Sequence, residues 1–171
     1  MKKIWSLIMF MAGIVVLGFA PQATSTADAY MGSSLSIPSI GLSAPIYGAP
    51  LAETTWDISH LNMSVGHLQH LPWFGQPANV VLAGHSTTPE GQPDIFYALN
   101  AVSVGDEIVV VADGMVYRYI VATKTVVAND DLSILASTGN TMLTLFTCTH
   151  GSYNPTTGSY DQRTVVTAYP A

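Results

Sequence analysis

Short apolar runs separated by turn residues make up most of this chain from Leu35 onward. The runs are rich in Val, Ile, Thr and Tyr, which is typical of β-strands. The predicted strands are residues 35–37, 44–47, 79–83, 106–112, 115–121, 124–128, 141–147 and 163–169. Helical turns are predicted only over residues 53–61, 94–100 and 130–135. The pattern therefore predicts an all-β barrel or sandwich.

A hairpin is predicted where Asp113-Gly114 separates two of the apolar runs. This dipeptide favours a type I′ turn, in which both central residues have positive φ. The returning run places Tyr117 and Tyr119 on one face of its strand and Arg118 on the other. We expect the tyrosines to pack across strands and Arg118 to be solvated.

The N-terminus has the pattern of an export signal. Lys2 and Lys3 precede a 17-residue apolar run, residues 4–20, and Ala27-Asp28-Ala29 offers a small-x-small cleavage site before Tyr30. The run is long for a cleaved signal and short for a membrane-spanning helix. We therefore predict residues 1–29 to be a signal peptide or a signal anchor. Residues 30–171 then form one domain outside the cytoplasm.

Composition narrows the classes of function. Net charge is −6, and beyond Tyr30 the basic residues are Arg118, Lys124 and Arg163 alone, which excludes a nucleic-acid-binding surface. Cys148 is the single cysteine, so no internal disulfide forms. In an exported protein such a residue is a buried bystander, an intermolecular link or a reactive thiol.

The candidate chemistry lies at strand ends. Cys148 ends one predicted strand and Arg163 begins the next, so antiparallel pairing would bring them together despite a 15-residue separation. His85 follows another predicted strand through Gly84. A thiol needs a base or a cation beside it to react at neutral pH. A guanidinium stabilises the negative charge of an acyl-transfer intermediate.

The strings around these residues resemble the sortase family. Ala83-Gly84-His85, then Thr144-Leu145-Phe146-Thr147-Cys148, then Arg163-Thr164-Val165-Val166 follow the family order of a His after a strand, a TLxTC motif and an Arg leading the last strand. Ile37-Pro38-Ser39-Ile40-Gly41-Leu42 and Gly105-Asp106-Glu107-Ile108 are also similar to family segments. The resemblance covers roughly residues 35–169.

The resemblance implies a fold and an activity. Sortases are closed eight-stranded β-barrels that cleave a C-terminal sorting signal of the LPxTG type through a thioacyl intermediate. It implies Cys148 as nucleophile, His85 as general acid and base, and Arg163 as oxyanion and substrate stabiliser, with Thr147 and Ala83 contacting substrate. The reaction is a transpeptidation by a cysteine enzyme related to thiol peptidases.

The same resemblance implies the partners. They are surface proteins bearing a sorting signal, an amine of a peptidoglycan precursor or of a pilin, and the membrane if residues 1–29 are retained. No cofactor and no metal is expected, because the acidic calcium-binding cluster of some class A members is not evident. Without an evident lid or helical insertion, the chain is similar to single-domain class D, E or F sortases. Specificity is expected from residues 87–93 and 123–140.

Other interpretations stay open on the residues alone. The chain is alternatively a non-catalytic secreted β-barrel binding module with a structural Cys148, or a cysteine peptidase that only hydrolyses. A papain-like arrangement places Cys before His, whereas here His85 precedes Cys148. His150 is the alternative base, two residues after the thiol. Aromatic residues are expected to serve in packing more than in a specificity pocket: Trp56, Trp73 and Phe74.

Overall fold

The fold is that of a computed structural model, which describes residues 29–171. The predicted signal peptide or signal anchor falls, apart from Ala29, outside the described residues and stays a prediction. Within residues 29–171 no helix is long and apolar enough to cross a membrane.

Strands dominate the described part of the chain. They are β1 (Ala29–Ile37), β2 (Leu42–Ala49), β3 (Leu51–Ala52), β4 (Thr55–Trp56), β5 (Val65–Leu68), β6 (Asn79–Ala83), β7 (Glu107–Ala112), β8 (Met115–Ala128), β9 (Met142–Cys148), β10 (Tyr153–Asn154), β11 (Ser159–Tyr160) and β12 (Gln162–Pro170). Helix is limited to three short 3-10 segments within these residues: Pro38–Ile40, Tyr97–Ala101 and Leu132–Leu135.

Eight of the strands close into a barrel in the order β1-β2-β5-β6-β9-β12-β8-β7, and β7 pairs with β1 to complete it. The β2–β5 and β6–β9 pairs are parallel, and the other pairs are antiparallel. This confirms the all-β, eight-stranded barrel. Closure leaves no free edge, because every barrel strand has a hydrogen-bonded neighbour on both sides.

The core follows from the alternation of side chains along each strand. Leu82, Leu145 and Val166 face the barrel interior and are fully buried. The residues that alternate with these along each strand face outward. On β6 the outward-facing residues are Val81 and Ala83. Those two are buried as well, because the segments that follow β2 and β8 lie over this part of the outer wall. The barrel therefore has a second, smaller apolar layer outside it.

The hairpin of β3 and β4 replaces the helical turns predicted over residues 53–61, and that prediction was wrong. Leu51 pairs with Trp56, and the Trp56 indole Nε1 donates a hydrogen bond to the carbonyl of Gln69 at 2.8 Å. The ring also packs on the outer apolar cluster. These contacts with residues distant in sequence override the weak local preference for a helical turn.

Strand β8 is continuous over 14 residues, where two strands with a break at residues 122–123 were predicted. Strand β8 pairs with β12 from Tyr119 to Ala128, and this pairing keeps it extended. The predicted β7–β8 turn is confirmed, with φ of 51° at Asp113 and 74° at Gly114. The short helix predicted from Asp94 begins three residues later, at Tyr97.

The two tyrosines of β8 share one face as predicted. Tyr119 is buried, Tyr117 packs against the core, and both stack near Phe74. Arg118 lies on the opposite, exposed face, where it pairs with Glu107 at 2.7 Å. Phe74 and Trp73 serve in packing at this end of the barrel, as expected.

Candidate active site

Cys148 and Arg163 are direct cross-strand neighbours. Cys148 is the last residue of β9, and its register partner on β12 is Arg163. The loop between the two strands, residues 149–161, carries the small β10–β11 hairpin. The expected antiparallel pairing is therefore present, and it brings the thiol and the guanidinium to the same end of the barrel.

His85 joins them from the other side of β9. Strand β6 runs parallel to β9, with Ala83 beside Phe146, and the Gly84 amide continues the ladder by donating to the Phe146 carbonyl at 3.3 Å. Two residues further along each strand come His85 and Cys148. Both therefore leave the sheet on its outer face, in line with Ala83 and Phe146. The three candidate residues meet on the outer wall, at one end of the barrel.

A backbone carbonyl fixes the orientation of His85. Its Nε2 lies 2.8 Å from the carbonyl oxygen of Ile58, in the segment after β4. A carbonyl only accepts, so Nε2 carries a hydrogen and Nδ1 is the nitrogen left for proton exchange. Sequence reasoning missed this contact because a main-chain acceptor has no side-chain signature.

A cavity of about 280 Å³ adjoins all three residues. Its wall is mainly apolar and includes Trp56, Ile58, Leu68, Ile134, Leu135 and Phe146, together with Ala83. The 3-10 helix Leu132–Leu135 and the β3–β4 hairpin supply two sides of it. Trp56, expected to serve in packing, thus also lines the cavity. The cavity is open to solvent on one side and is suited to apolar side chains of an extended peptide.

The charge of the Arg163 guanidinium affects the pKa of the Cys148 thiol. Cys148 is half-buried, and burial raises the pKa of its thiol, while the positive charge of Arg163 opposes that rise. One guanidinium nitrogen of Arg163, Nη1, donates to the carbonyls of Tyr160 at 2.8 Å and Gln162 at 3.1 Å. The last residue of β11 and the first residue of β12 therefore hold the guanidinium.

We expect alkylation of Cys148 by iodoacetamide to be slow at neutral pH and to accelerate as the pH rises. Burial favours the neutral thiol, so the reactive thiolate forms only above the pH at which an unperturbed cysteine titrates. Mass spectrometry of the alkylated chain, with glutathione titrated alongside, gives the two midpoints. A midpoint for Cys148 at or below that of glutathione would contradict the expectation.

Gly84 links β6 to His85 at a point where neighbouring side chains leave no room for a Cβ atom. A methyl group there would lie 2.6 Å from Cδ2 of Phe96 and 2.9 Å from Cγ2 of Ile95. Phe96 is fully buried, and its amide donates to the His85 carbonyl at 2.9 Å, so it has little freedom to move. The close packing ties the position of His85 to the core.

We expect Gly84→Ala to lower the free energy of unfolding by about 1–3 kcal/mol, the usual effect of overpacking a core. Urea denaturation measures this change. In a Phe96→Leu background the added methyl meets a more flexible side chain, so its effect should be smaller. Equal losses in both backgrounds would show that the Phe96 contact is not the cause.

The remaining predicted site residues differ in how far they reach the cavity. Thr147 lines it, but its side chain is buried and its hydroxyl donates to the Gly84 carbonyl at 2.7 Å. That leaves the Thr147 backbone for any contact with substrate. His150, the alternative base, is exposed and packs its ring edge against Tyr97 with centroids 4.4 Å apart. Among the histidines, it is His85 that lies with the thiol along the cavity.

His67 has a place in packing away from this site. It is buried, its Nε2 donates to the Pro72 carbonyl at 2.9 Å, and its ring meets Trp73 edge-on at 4.7 Å. Burial lowers its pKa. A histidine so placed is part of the packed interior of the fold.

The chain matches known proteins over nearly all of its described length. The family model described as "Sortase domain" matches residues 35–171. Sortase A from Corynebacterium diphtheriae, as a lid mutant, is 28% identical with a TM-score of 0.64, covering 81% of this chain and 69% of its own. Sortase C2 of pilus island 1 from group B Streptococcus is 27% identical with a TM-score of 0.64, covering 81% and 73%.

A Clostridium perfringens sortase D5 transpeptidase is 21% identical with a TM-score of 0.64, covering 81% of this chain and 78% of its own, and this likeness supports the fold. In sequence, no curated protein matches the chain. The similar structures span sortases of classes A, C and D, so they support the family without selecting a class.

Proposed function

This chain belongs to the sortase family of cysteine transpeptidases, and from that premise we propose that it cleaves a C-terminal sorting signal through a thioacyl intermediate on Cys148. The observation that carries the proposal is the meeting of Cys148, Arg163 and His85 along one cavity. A non-catalytic barrel would have no need of a nucleophile, a proton carrier and a cation at one open cavity.

Acylation begins with the thiol. Its sulfur forms a bond to the carbonyl carbon of the scissile peptide, and the thiol proton passes to His85. Arg163 stabilises the negative charge that develops on the carbonyl oxygen, using guanidinium hydrogens other than those held by the Tyr160 and Gln162 carbonyls. His85 returns the proton to the leaving amine as the C–N bond breaks.

Transfer reverses these steps with a new amine. The amine nitrogen forms a bond to the thioacyl carbon, the C–S bond breaks, and the amine proton passes through His85 to the departing sulfur. The Nε2 contact of His85 with Ile58 leaves Nδ1 as the atom that carries the proton in both directions. The free thiol is thereby restored, and no cofactor or metal takes part in this scheme.

The proposed donor is a surface protein with an LPxTG-like signal, and the proposed acceptor is an amine of a peptidoglycan precursor or of a pilin. The apolar wall around Trp56 and Leu135 suits the apolar residues of such a signal. Residue Ala83 contributes to that wall, and Thr147 lies beside the thiol. Both are proposed to contact the bound peptide.

Sortases are extracytoplasmic or membrane-associated enzymes. We place the catalytic domain at residues 30–171 on the outer face of the membrane or in the secreted fraction. Residues 1–29 would direct it there as a signal anchor or as a cleaved signal peptide.

The test is to incubate the protein with a library of sorting peptides and to trap the intermediate by acid quenching. Mass spectrometry should then show a mass on the peptide containing Cys148 that equals the N-terminal part of one library member. Added amine should convert this adduct into an amide product. An adduct that only hydrolyses with every amine tested would make the protein a peptidase, and no adduct at all would refute the proposal.

A further inference from the structure

Two loops meet beyond the end of β9, and a hydrogen bond between side chains joins them. The hydroxyl groups of Thr87 and Tyr160 lie 3.2 Å apart, so that one donates to the other. Thr87 lies two residues after His85, and Tyr160 lies three residues before Arg163. Strands β6 and β12 flank β9 on opposite sides. The bond therefore connects the segments that carry His85 and Arg163 on the two sides of Cys148.

The segment after His85 is a tight hairpin that holds Thr87 in place. Thr87 forms an antiparallel bridge with Pro93, and the amide of Thr88 donates to the carbonyl of Gln92 at 2.8 Å. These contacts close the hairpin directly around Thr87. The Thr87 hydroxyl is therefore fixed relative to His85.

On the other loop, Tyr160 makes contacts through both its side chain and its backbone. Its carbonyl accepts a hydrogen bond from Nη1 of Arg163 at 2.8 Å. Its ring packs edge-on against that of Tyr153, its register partner in β10, with centroids 5.3 Å apart. A shift of Tyr160 therefore moves one of the two carbonyls that hold the guanidinium.

The β10–β11 hairpin is held on its two sides by different kinds of contact. On the side of β8, the backbone amide of Asn129 donates to the carbonyl of Asp161 at 3.0 Å. On the side of His85, the Thr87–Tyr160 pair is the one hydrogen bond that joins residues 86–94 to residues 149–161 in the described part of the chain. Loss of this bond therefore frees the hairpin on the side of His85.

The separation of His85 and Arg163 matters for acyl transfer because both act on one peptide bond. Arg163 stabilises the carbonyl oxygen as charge develops, while His85 exchanges a proton with the thiol and the leaving amine. A displacement of about 1 Å in such an arrangement can lower a rate by as much as about 10²-fold. A contact that limits their separation therefore acts on the rate.

We propose that Tyr160 is a positioning residue, whose hydroxyl, bonded to Thr87, holds Arg163 and His85 at the separation that acyl transfer on Cys148 requires. The inference rests on the proposed function and adds a residue to its machinery. Both hydroxyl groups are neutral, so the bond adds no charge to the site. Tyr160 acts through the place of the two catalytic side chains.

The test compares Tyr160→Phe, Thr87→Val and the double variant. Each single change removes one hydroxyl and keeps the shape of the side chain. The substrates are the library peptide that acylates Cys148 fastest and hydroxylamine as the acceptor. We expect kcat/KM for hydroxamate formation to fall about fivefold in each single variant, as for one lost hydrogen bond. The double variant should lose no more than either single variant, because both changes break the same bond.

Alkylation of Cys148 by iodoacetamide gives a second measurement, which needs no peptide. The positive charge of Arg163 opposes the rise that burial causes in the pKa of the Cys148 thiol. A guanidinium that is held less firmly opposes this rise less. The midpoint of alkylation should therefore move to higher pH in Tyr160→Phe and in Thr87→Val. A bond that only stabilised the loop would leave the midpoint where it is in the wild type.

Two further variants serve as matched controls. Tyr153→Phe removes the hydroxyl of the neighbouring ring, which has no hydrogen-bond partner among residues 29–171, and it should keep the wild-type kcat/KM and midpoint. Thr87→Ser keeps the hydroxyl and should recover most of the activity lost in Thr87→Val. An equal loss in Tyr153→Phe, additive losses in the double variant, or an unchanged midpoint in Tyr160→Phe would overturn the inference.

The adduct on Cys148 separates this outcome from failure of the proposed function. An adduct in the wild type, together with an unchanged kcat/KM in Tyr160→Phe, refutes the positioning role alone. Absence of the adduct in the wild type refutes the proposed function and the positioning role with it. Urea denaturation gives the folded fraction of each variant. A loss of kcat/KM that disappears when rates are scaled to folded protein also refutes the positioning role.

Discussion

Replacing Cys148 with Ala should abolish the thioacyl adduct and lower the rate of amide formation by at least about 10³-fold. Loss of the nucleophile in an enzyme that works through a covalent intermediate removes the whole pathway, and the residual rate comes from binding alone. The rate is measured with the best peptide from the library and an amine, by chromatography of the product. Cys148→Ser should be similarly inactive, because a hydroxyl is far less acidic than a thiol and His85 is oriented by the Ile58 carbonyl and not by a carboxylate that would strengthen it as a base.

Folding has to be checked in the same variants. Cys148 is half-buried at the end of β9, and its side chain is small. We therefore expect the free energy of unfolding to change by no more than about 1 kcal/mol. A folded Cys148→Ala protein that still makes the amide would show that the nucleophile is elsewhere and that the thiol is structural.

Most of the strands and the Cys148–Arg163 pair were predictable because both follow from patterns local to each strand. The closed barrel was expected from the resemblance to sortases, since the pattern alone also allowed a sandwich. The apolar run of residues 79–83 coincides with β6, and the strand ends at Cys148 and Arg163 follow from the turn-rich loop between them. Alternation then decides which side chains share a face. Once β6 and β9 are known to be neighbours, this alternation places His85 and Cys148 on the outer face of the barrel.

What covers that face was not predictable, because it depends on contacts between residues far apart in the sequence. Residues 53–61 form a hairpin because Trp56 finds the Gln69 carbonyl and an apolar cluster on the barrel wall. The hydrogen bond that orients His85 comes from the backbone of Ile58, for which any residue type would serve.

The continuity of β8 shows the same limit. The break predicted at residues 122–123 is absent, and the strand continues through Thr123-Lys124-Thr125, all of which are exposed. Its register with β12, in which Lys124 lies opposite Val166, extends the ladder through the polar residues. The partner strand, on which Val166 lies 42 residues after Lys124, therefore decides that β8 continues.

Arg163→Ala should lower kcat/KM by about 10²–10³-fold, the usual effect of removing one donor to a developing oxyanion. Two properties of the guanidinium are lost together in this variant. One is its charge, which holds the pKa of the Cys148 thiol below the level that burial alone would set. The other is its set of N–H groups, of which those on Nη1 are held by the carbonyls of Tyr160 and Gln162.

Arg163→Lys separates the effect of the positive charge from the effect of the guanidinium N–H groups. An ammonium keeps the positive charge, so the midpoint of iodoacetamide alkylation should stay near that of the wild type, whereas in Arg163→Ala it should move to higher pH. Transfer should nevertheless fall at least about 10-fold in Arg163→Lys, because an ammonium lacks the planar fork of donors with which a guanidinium can hold the Tyr160 carbonyl and donate to an oxyanion in a different direction. If Lys restored full activity, charge alone would account for the role of Arg163. If neither variant changed kcat/KM, Arg163 would have no part in the chemistry, and its contacts with the loop would be structural.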